Sequence, residues 1–94
     1  MEVESAWYDR CPVGTLCLFD QPDGEGHMTV VRSDIPDIGA TRIDGNPVSL
    51  WNRTGRTVDF YDHTGYSGNV DVFHDNEKRS GSPVHRTTRS IKIL

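Results

Sequence analysis

The chain has 94 residues, of which 34% are apolar and 26% charged, with nine Gly and five Pro. That length suits one domain with a modest core that buries roughly 60–65% of the unfolded surface, and no stretch approaches the roughly 20 apolar residues needed to span a bilayer. The net charge of −4 is uneven: residues 1–47 carry nine acids against three bases, and residues 48–94 five acids against seven bases. The second half is too weakly basic to argue for nucleic acid, although the two-signed surface could steer head-to-tail association.

Residues 1–10 read as an N-terminal extension to a domain over residues 11–94. Met1-Glu2-Val3-Glu4-Ser5 has no basic or apolar region and is no secretory signal. Met1 is therefore either the native start or stands where a leader was removed. Trp7 and Tyr8 are expected to pack on the domain, the alternative being contact with a partner. Cys11 and Cys17 follow, with Pro12 and Gly14 between them able to form a turn. A bridge is expected here, contributing about 2.4 kcal/mol by loop entropy. The alternative is two free, buried thiols. With no second cysteine pair, zinc is not expected.

From residue 15 onward the chain repeats itself at an offset of 42 residues. Leu16, Leu18 and Phe19 match Val58, Phe60 and Tyr61; Gly26 matches Gly68; Met28 and Val30 match Val70 and Val72. After one deletion, Ser49 and Leu50 match Ser90 and Ile91. Each run alternates with period two, as half-buried strands require. Leu16, Leu18, Met28, Val30 and Leu50 are expected to face the core, with Val58, Phe60, Val70, Val72 and Ile91 from the second copy. The connections 33–48 and 74–89 are rich in Asp, Pro, Gly and Ser. Each is expected to hold a short third strand, near residues 41–43 and 84–88, and residues 34–38 could form one helical turn. Thr54-Gly55 reads as the turn between motif one, residues 11–52, and motif two, residues 55–94. Four strands per half with one long return make a Greek key. The predicted fold is therefore an all-β double Greek-key sandwich.

Tyr61-Asp62-His63-Thr64-Gly65-Tyr66-Ser67-Gly68 resembles the βγ-crystallin Greek-key signature: an aromatic, four residues, an aromatic, one residue, a glycine. The resemblance implies a folded-over hairpin in which a ring covers Gly68 and a serine, here Ser90, hydrogen-bonds to the hairpin. The first half keeps Phe19, Gly26 and Ser49, but Gly24 replaces the second aromatic. The stretch from Cys11 to Phe19 resembles small secreted bacterial proteins of the crystallin-like metallopeptidase-inhibitor family, which place this cysteine loop at the start of the first motif. Many crystallin-like domains bind calcium through a loop of two Asn or Asp, two variable residues, Ser or Thr, then Ser. Asp44-Gly45-Asn46-Pro47-Val48-Ser49 keeps one acid, and His85-Arg86-Thr87-Thr88-Arg89-Ser90 has no carboxylate. Calcium needs several oxygen ligands with negative charge among them, so no cofactor or metal is expected. Asp20, Asp23 and Glu25 read as a solvated acidic turn.

Catalytic chemistry is not expected either. His27, His63, His74 and His85 lack metal-ligand spacing, no serine lies in a nucleophile elbow, and bridged cysteines are not nucleophiles. Asp59 and Asp71 fall on outward positions where they could pair, without an apolar pocket to perturb them. Asn52-Arg53-Thr54 is formally a glycosylation sequon. Two functions remain, both requiring a protein partner and no nucleic acid or membrane. The first is an extracellular peptidase-inhibitor-type binding module, acting through the Cys11–Cys17 loop, residues 20–25 or residues 76–83. The second is a structural or decoration protein on a virion or other surface assembly, as part of an oligomer. A spore-coat or stress crystallin is a third, disfavoured by the degraded calcium loops.

Overall fold

The computed structural model describes residues 8–94; Trp7 lies outside them. Seven strands form two antiparallel sheets: β1 (Leu16–Phe19), β2 (Met28–Val31), β3 (Ser49–Asn52), β4 (Val58–His63), β5 (Ser67–Phe73), β6 (Lys78–Ser80) and β7 (Ser90–Ile93). The first sheet has the order β2-β1-β3-β6 and the second β5-β4-β7. Three short 3-10 turns, Tyr8–Arg10, Pro22–Gly24 and Ile38–Ala40, are the helical pieces among the described residues. The last of these lies slightly beyond the turn expected over residues 34–38. The Asp37 carboxylate caps it by accepting the Gly39 N–H at 2.9 Å.

The third strands differ from expectation. Residues 41–43 and 84–88 form none; β6 lies at Lys78–Ser80 and pairs with β3, Ser49 opposite Ser80. Motif one sends Ile35 across to bridge Ile91 on β7. Each motif thus lends backbone to the other's sheet. Residues 41–43 and 84–88 instead turn their apolar members inward, Ile43 partly buried and Val84 buried.

The inner core joins Leu16, Leu18, Val31, Ile38, Leu50, Val58, Phe60, Phe73, Val84 and Ile91. Phe60 and Phe73 meet edge to face at 5.0 Å. Four of the expected core residues lie elsewhere. Val70 and Val72 are 45% and 42% exposed, and Met28 and Val30 pack on the outer side of the first sheet. The β4–β5 register puts Asp71 opposite Phe60 and Phe73 opposite Val58. The inward pair is therefore Asp71 and Phe73, and Val31 takes the corresponding place in β2. Successive residues of a strand face opposite sides, so a reading displaced by one residue reverses every assignment.

Candidate interaction loop and its surroundings

The two hairpins are held by matching bonds. Ser49 Oγ accepts the Gly24 N–H at 2.9 Å and donates to the Gln21 carbonyl at 2.7 Å. Ser90 Oγ accepts the Tyr66 N–H at 3.0 Å and donates to the His63 carbonyl at 2.6 Å. Asp20 accepts the His27 N–H at 2.8 Å, as Asp62 accepts the Asn69 N–H at 2.8 Å. Gly26 and Gly68 have φ of 77° and 87°. A Cβ at Gly26 would meet Asp20 Oδ1 at 2.0 Å, and one at Gly68 would meet Asp62 Oδ1 at 2.1 Å. The atoms nearest the missing side chain at Gly26 belong to Asp20 and Gln21, with no ring among them; at Gly68 they belong to Asp62 and to the imidazole ring of His63, so the ring over that glycine is a histidine and not Tyr61. Phe19 and Tyr61 instead engage other rings: Tyr61 meets Tyr66 at 6.3 Å, and Phe19 meets Tyr8 at 5.6 Å.

Gly24 acquires a role that the sequence pattern did not reveal. It occupies the position of Tyr66 with φ of 75°, a left-handed conformation that Tyr66 adopts at 60°. A side chain there would strike the Tyr8 backbone N at 2.4 Å. Gly24 therefore seats the N-terminal 3-10 turn, and Tyr8 supplies the aromatic missing from motif one.

Cys11 and Cys17 form a disulfide, Cα to Cα 5.8 Å. With Phe19 and Trp51 they make a second apolar cluster, against which Tyr8, Met28 and Val30 pack. This covering explains why β1 is buried on both faces. The loop they close is pinned at several points. Thr15 Oγ1 donates to the Pro12 carbonyl at 2.8 Å, the Gly14 N–H to the Arg53 carbonyl at 2.9 Å, and Arg53 Nη1 to the Cys11 carbonyl at 2.8 Å. The Arg53 guanidinium also lies 4.4 Å from the Trp51 ring centre, with Lys78 Nζ at 4.3 Å from that ring. Out of this braced loop stands Val13, 78% exposed.

The remaining polar groups offer less chemistry. Asp59 and Asp71 do not pair: Asp59 lies opposite Val72 on the outer face, while Asp71 is on the inner one. Asp71 accepts the His85 backbone N–H at 3.0 Å and meets His85 Nδ1 at 2.8 Å. The imidazole is 82% exposed, and no hydroxyl or thiol of the described residues bonds to it, so the pair has no nucleophile to activate. Tyr61 donates to Asp59 at 3.1 Å; burial, then that carboxylate, raises its pKa. The sequon asparagine, Asn52, is fully buried and donates to the Arg56, Phe73 and His74 carbonyls, so it is closed to modification in the folded chain.

The residues at the two calcium-type loops do not fit that ion. Asp44 is exposed and accepts the Asn46 N–H at 2.9 Å. It lines a cleft of about 140 Å³ with Asp20, but Arg42 and His27 share the wall. At the second loop the Arg86 guanidinium lies 3.7 Å from Asp62. One or two carboxylates per loop, with an arginine in the wall of the first and against the carboxylate of the second, supply too few free oxygens for the six to eight ligands that calcium takes.

A family model described as peptidase inhibitor family I36 matches residues 4–73. No curated protein matches the chain. Among solved structures, IPSE/alpha-1 from Schistosoma mansoni eggs is similar at a TM-score of 0.71 and 16% identity, over 87% of this chain and 86% of that one. A βγ-crystallin from Ciona intestinalis is similar at 0.69 and 16%, over 86% and 100%. A βγ-crystallin domain from Clostridium beijerinckii is similar at 0.66 and 15%, over 85% and 97%. These likenesses show a βγ-crystallin-like fold.

Proposed function

Given that this chain belongs to peptidase inhibitor family I36, we propose that it is an extracellular module that inhibits a peptidase by presenting the Cys11–Cys17 loop, with Val13 as the anchor. The carrying observation is that a highly exposed apolar side chain stands on a loop closed by a disulfide and pinned by Thr15 and Arg53. A single exposed apolar side chain is ordinary on a protein surface; Val13 is set apart by standing on a loop fixed at both ends. A loop already ordered loses little further entropy on binding, which is how rigid inhibitors gain affinity. The absence of an activatable nucleophile among the described residues fits binding without catalysis. A structure of the same fold is described as an IgE-binding crystallin, which supports protein binding as a use of such a surface. The disulfide supports an oxidising compartment.

The test is inhibition of a thermolysin-type metallopeptidase by the intact chain. No inhibition at micromolar concentration would refute the reading. Val13→Asp is expected to raise the inhibition constant at least about thirtyfold, the loss typical of a central anchor. Because Val13 has water around it, the same variant should keep the parent's urea midpoint.

A further inference from the structure

An open cleft of about 360 Å³ lies beside this loop, lined by Gly14, Arg32, Ser33, Thr54, Arg56 and Asp34, with Ile93 at its side. Its charge is opposite to that of the molecule, which is −4 overall. The one carboxylate in the wall is already committed. Asp34 accepts the Ile93 N–H at 2.7 Å and the Lys92 ammonium at 3.1 Å. The Ile93 bond foremost, with Lys92, keeps it below the ordinary carboxylate range. Lys92 therefore cancels Asp34, and two guanidinium groups remain. Arg56 makes one 3.3 Å bond through Nη1 to the Leu94 carbonyl, which leaves most of its five donors free. Ser33 lines the same space with a hydroxyl, whereas that of Thr54 is committed to Asn52 Oδ1 at 2.7 Å and to the Arg56 backbone. The composition suits an oxyanion, because guanidinium donors match a carboxylate fork.

Resting on the inhibitor reading, we propose that this cleft is a second contact site, which receives an Asp or Glu side chain of the peptidase while Val13 anchors the loop. Gly14 belongs to both features, so a partner seated on Val13 lies against the cleft. The complementary charge orients and accelerates the encounter.

Two measurements separate the site from the reading it rests on. The first is a titration of the free chain with sodium acetate, followed by amide NMR against sodium chloride at equal ionic strength. The expected result is saturating shifts at Gly14, Ser33 and Thr54, lost in the Arg32→Gln/Arg56→Gln variant. Equal shifts with chloride, or in the variant, would overturn the oxyanion site. The second uses the inhibited peptidase and varies salt. Arg32→Glu/Arg56→Glu should weaken inhibition about tenfold at low salt and flatten its salt dependence. An unchanged constant and slope would overturn the partner assignment while leaving Val13 as the anchor. A parent chain that inhibits no peptidase would remove the peptidase as the partner, and the acetate titration would still decide the site.

Discussion

Two serine hydroxyls do comparable work at equivalent places in the repeat. Ser49 and Ser90 are both fully buried, and each accepts one hairpin N–H while donating to one hairpin carbonyl. Ser90 has the harder task, since Tyr66 holds a left-handed φ of 60° that a side chain disfavours. Removing the hydroxyl strands a donor and an acceptor together. Ser90→Ala is expected to cost about 2–3 kcal/mol in urea unfolding, and Ser49→Ala to fall in the same range. Asp62 adds a pH dependence. Its carboxyl is held below the ordinary 3.8, first by the Asn69 side-chain amide, then by the Asn69 N–H and the charges of His63 and Arg86, against some desolvation. A carboxyl depressed by folding stabilises the fold above its unfolded pKa, and that contribution disappears as pH falls through the folded value. The melting temperature should therefore stay level from about pH 7 to 5 and decline below about pH 4. In Asp62→Asn the decline should be smaller; an identical decline would show that Asp62 contributes nothing to it.

The cysteine loop and the first 3-10 turn act as one element. The disulfide fixes the loop at both ends, Tyr8 packs on Phe19, and Trp51 lies between Arg53 and Lys78. The outer face of the first sheet is thereby converted into a second small core. The outer face of the second sheet has no such cover among the described residues, and Val70 and Val72, the repeat partners of Met28 and Val30, are exposed there. Cys11→Ser/Cys17→Ser should lower unfolding free energy by about 2.4 kcal/mol from loop entropy. It should also weaken inhibition by more than this loss of stability explains, because Val13 would lose its fixed position. Urea denaturation and the inhibition constant, measured on the same sample, check both parts.

At the scale of the molecule the controlling fact is exchange between the motifs. β6 of the second half completes the first sheet, and Ile35 of the first half bridges to β7 in the second. The inner core draws on both, with Leu16, Leu18 and Leu50 in one cluster with Val58, Phe60 and Ile91. Neither half can satisfy its sheet edge or cover its apolar face alone. Separate chains covering residues 1–54 and 55–94 are expected to be unfolded by circular dichroism and amide dispersion, despite the internal repeat. A folded half would refute this account of the sandwich.

The repeat was legible because it rests on local demands. A glycine at a left-handed position and a serine returning to the hairpin recur at fixed spacing; the aspartate that accepts an N–H seven residues on was not legible, since Asp20 reads only as part of a solvated acidic turn. The double Greek key follows from that pattern, and so does the cysteine loop at its start. The facing of β2 and β5 was not legible. Both runs carry apolar residues at positions that suit either side, and the choice depends on partners distant in sequence: the cluster of Cys11, Cys17, Phe19 and Trp51 against which Met28 and Val30 pack, and the pairing of Phe60 with Asp71. The third strands were also hidden, since their pairing is with the other motif. Sequence by itself determined the hairpins, because their hydrogen bonds close within a few residues or at a repeated offset. Tertiary structure alone decided which apolar faces are covered and which are free, because burial depends on what the rest of the chain brings to each surface.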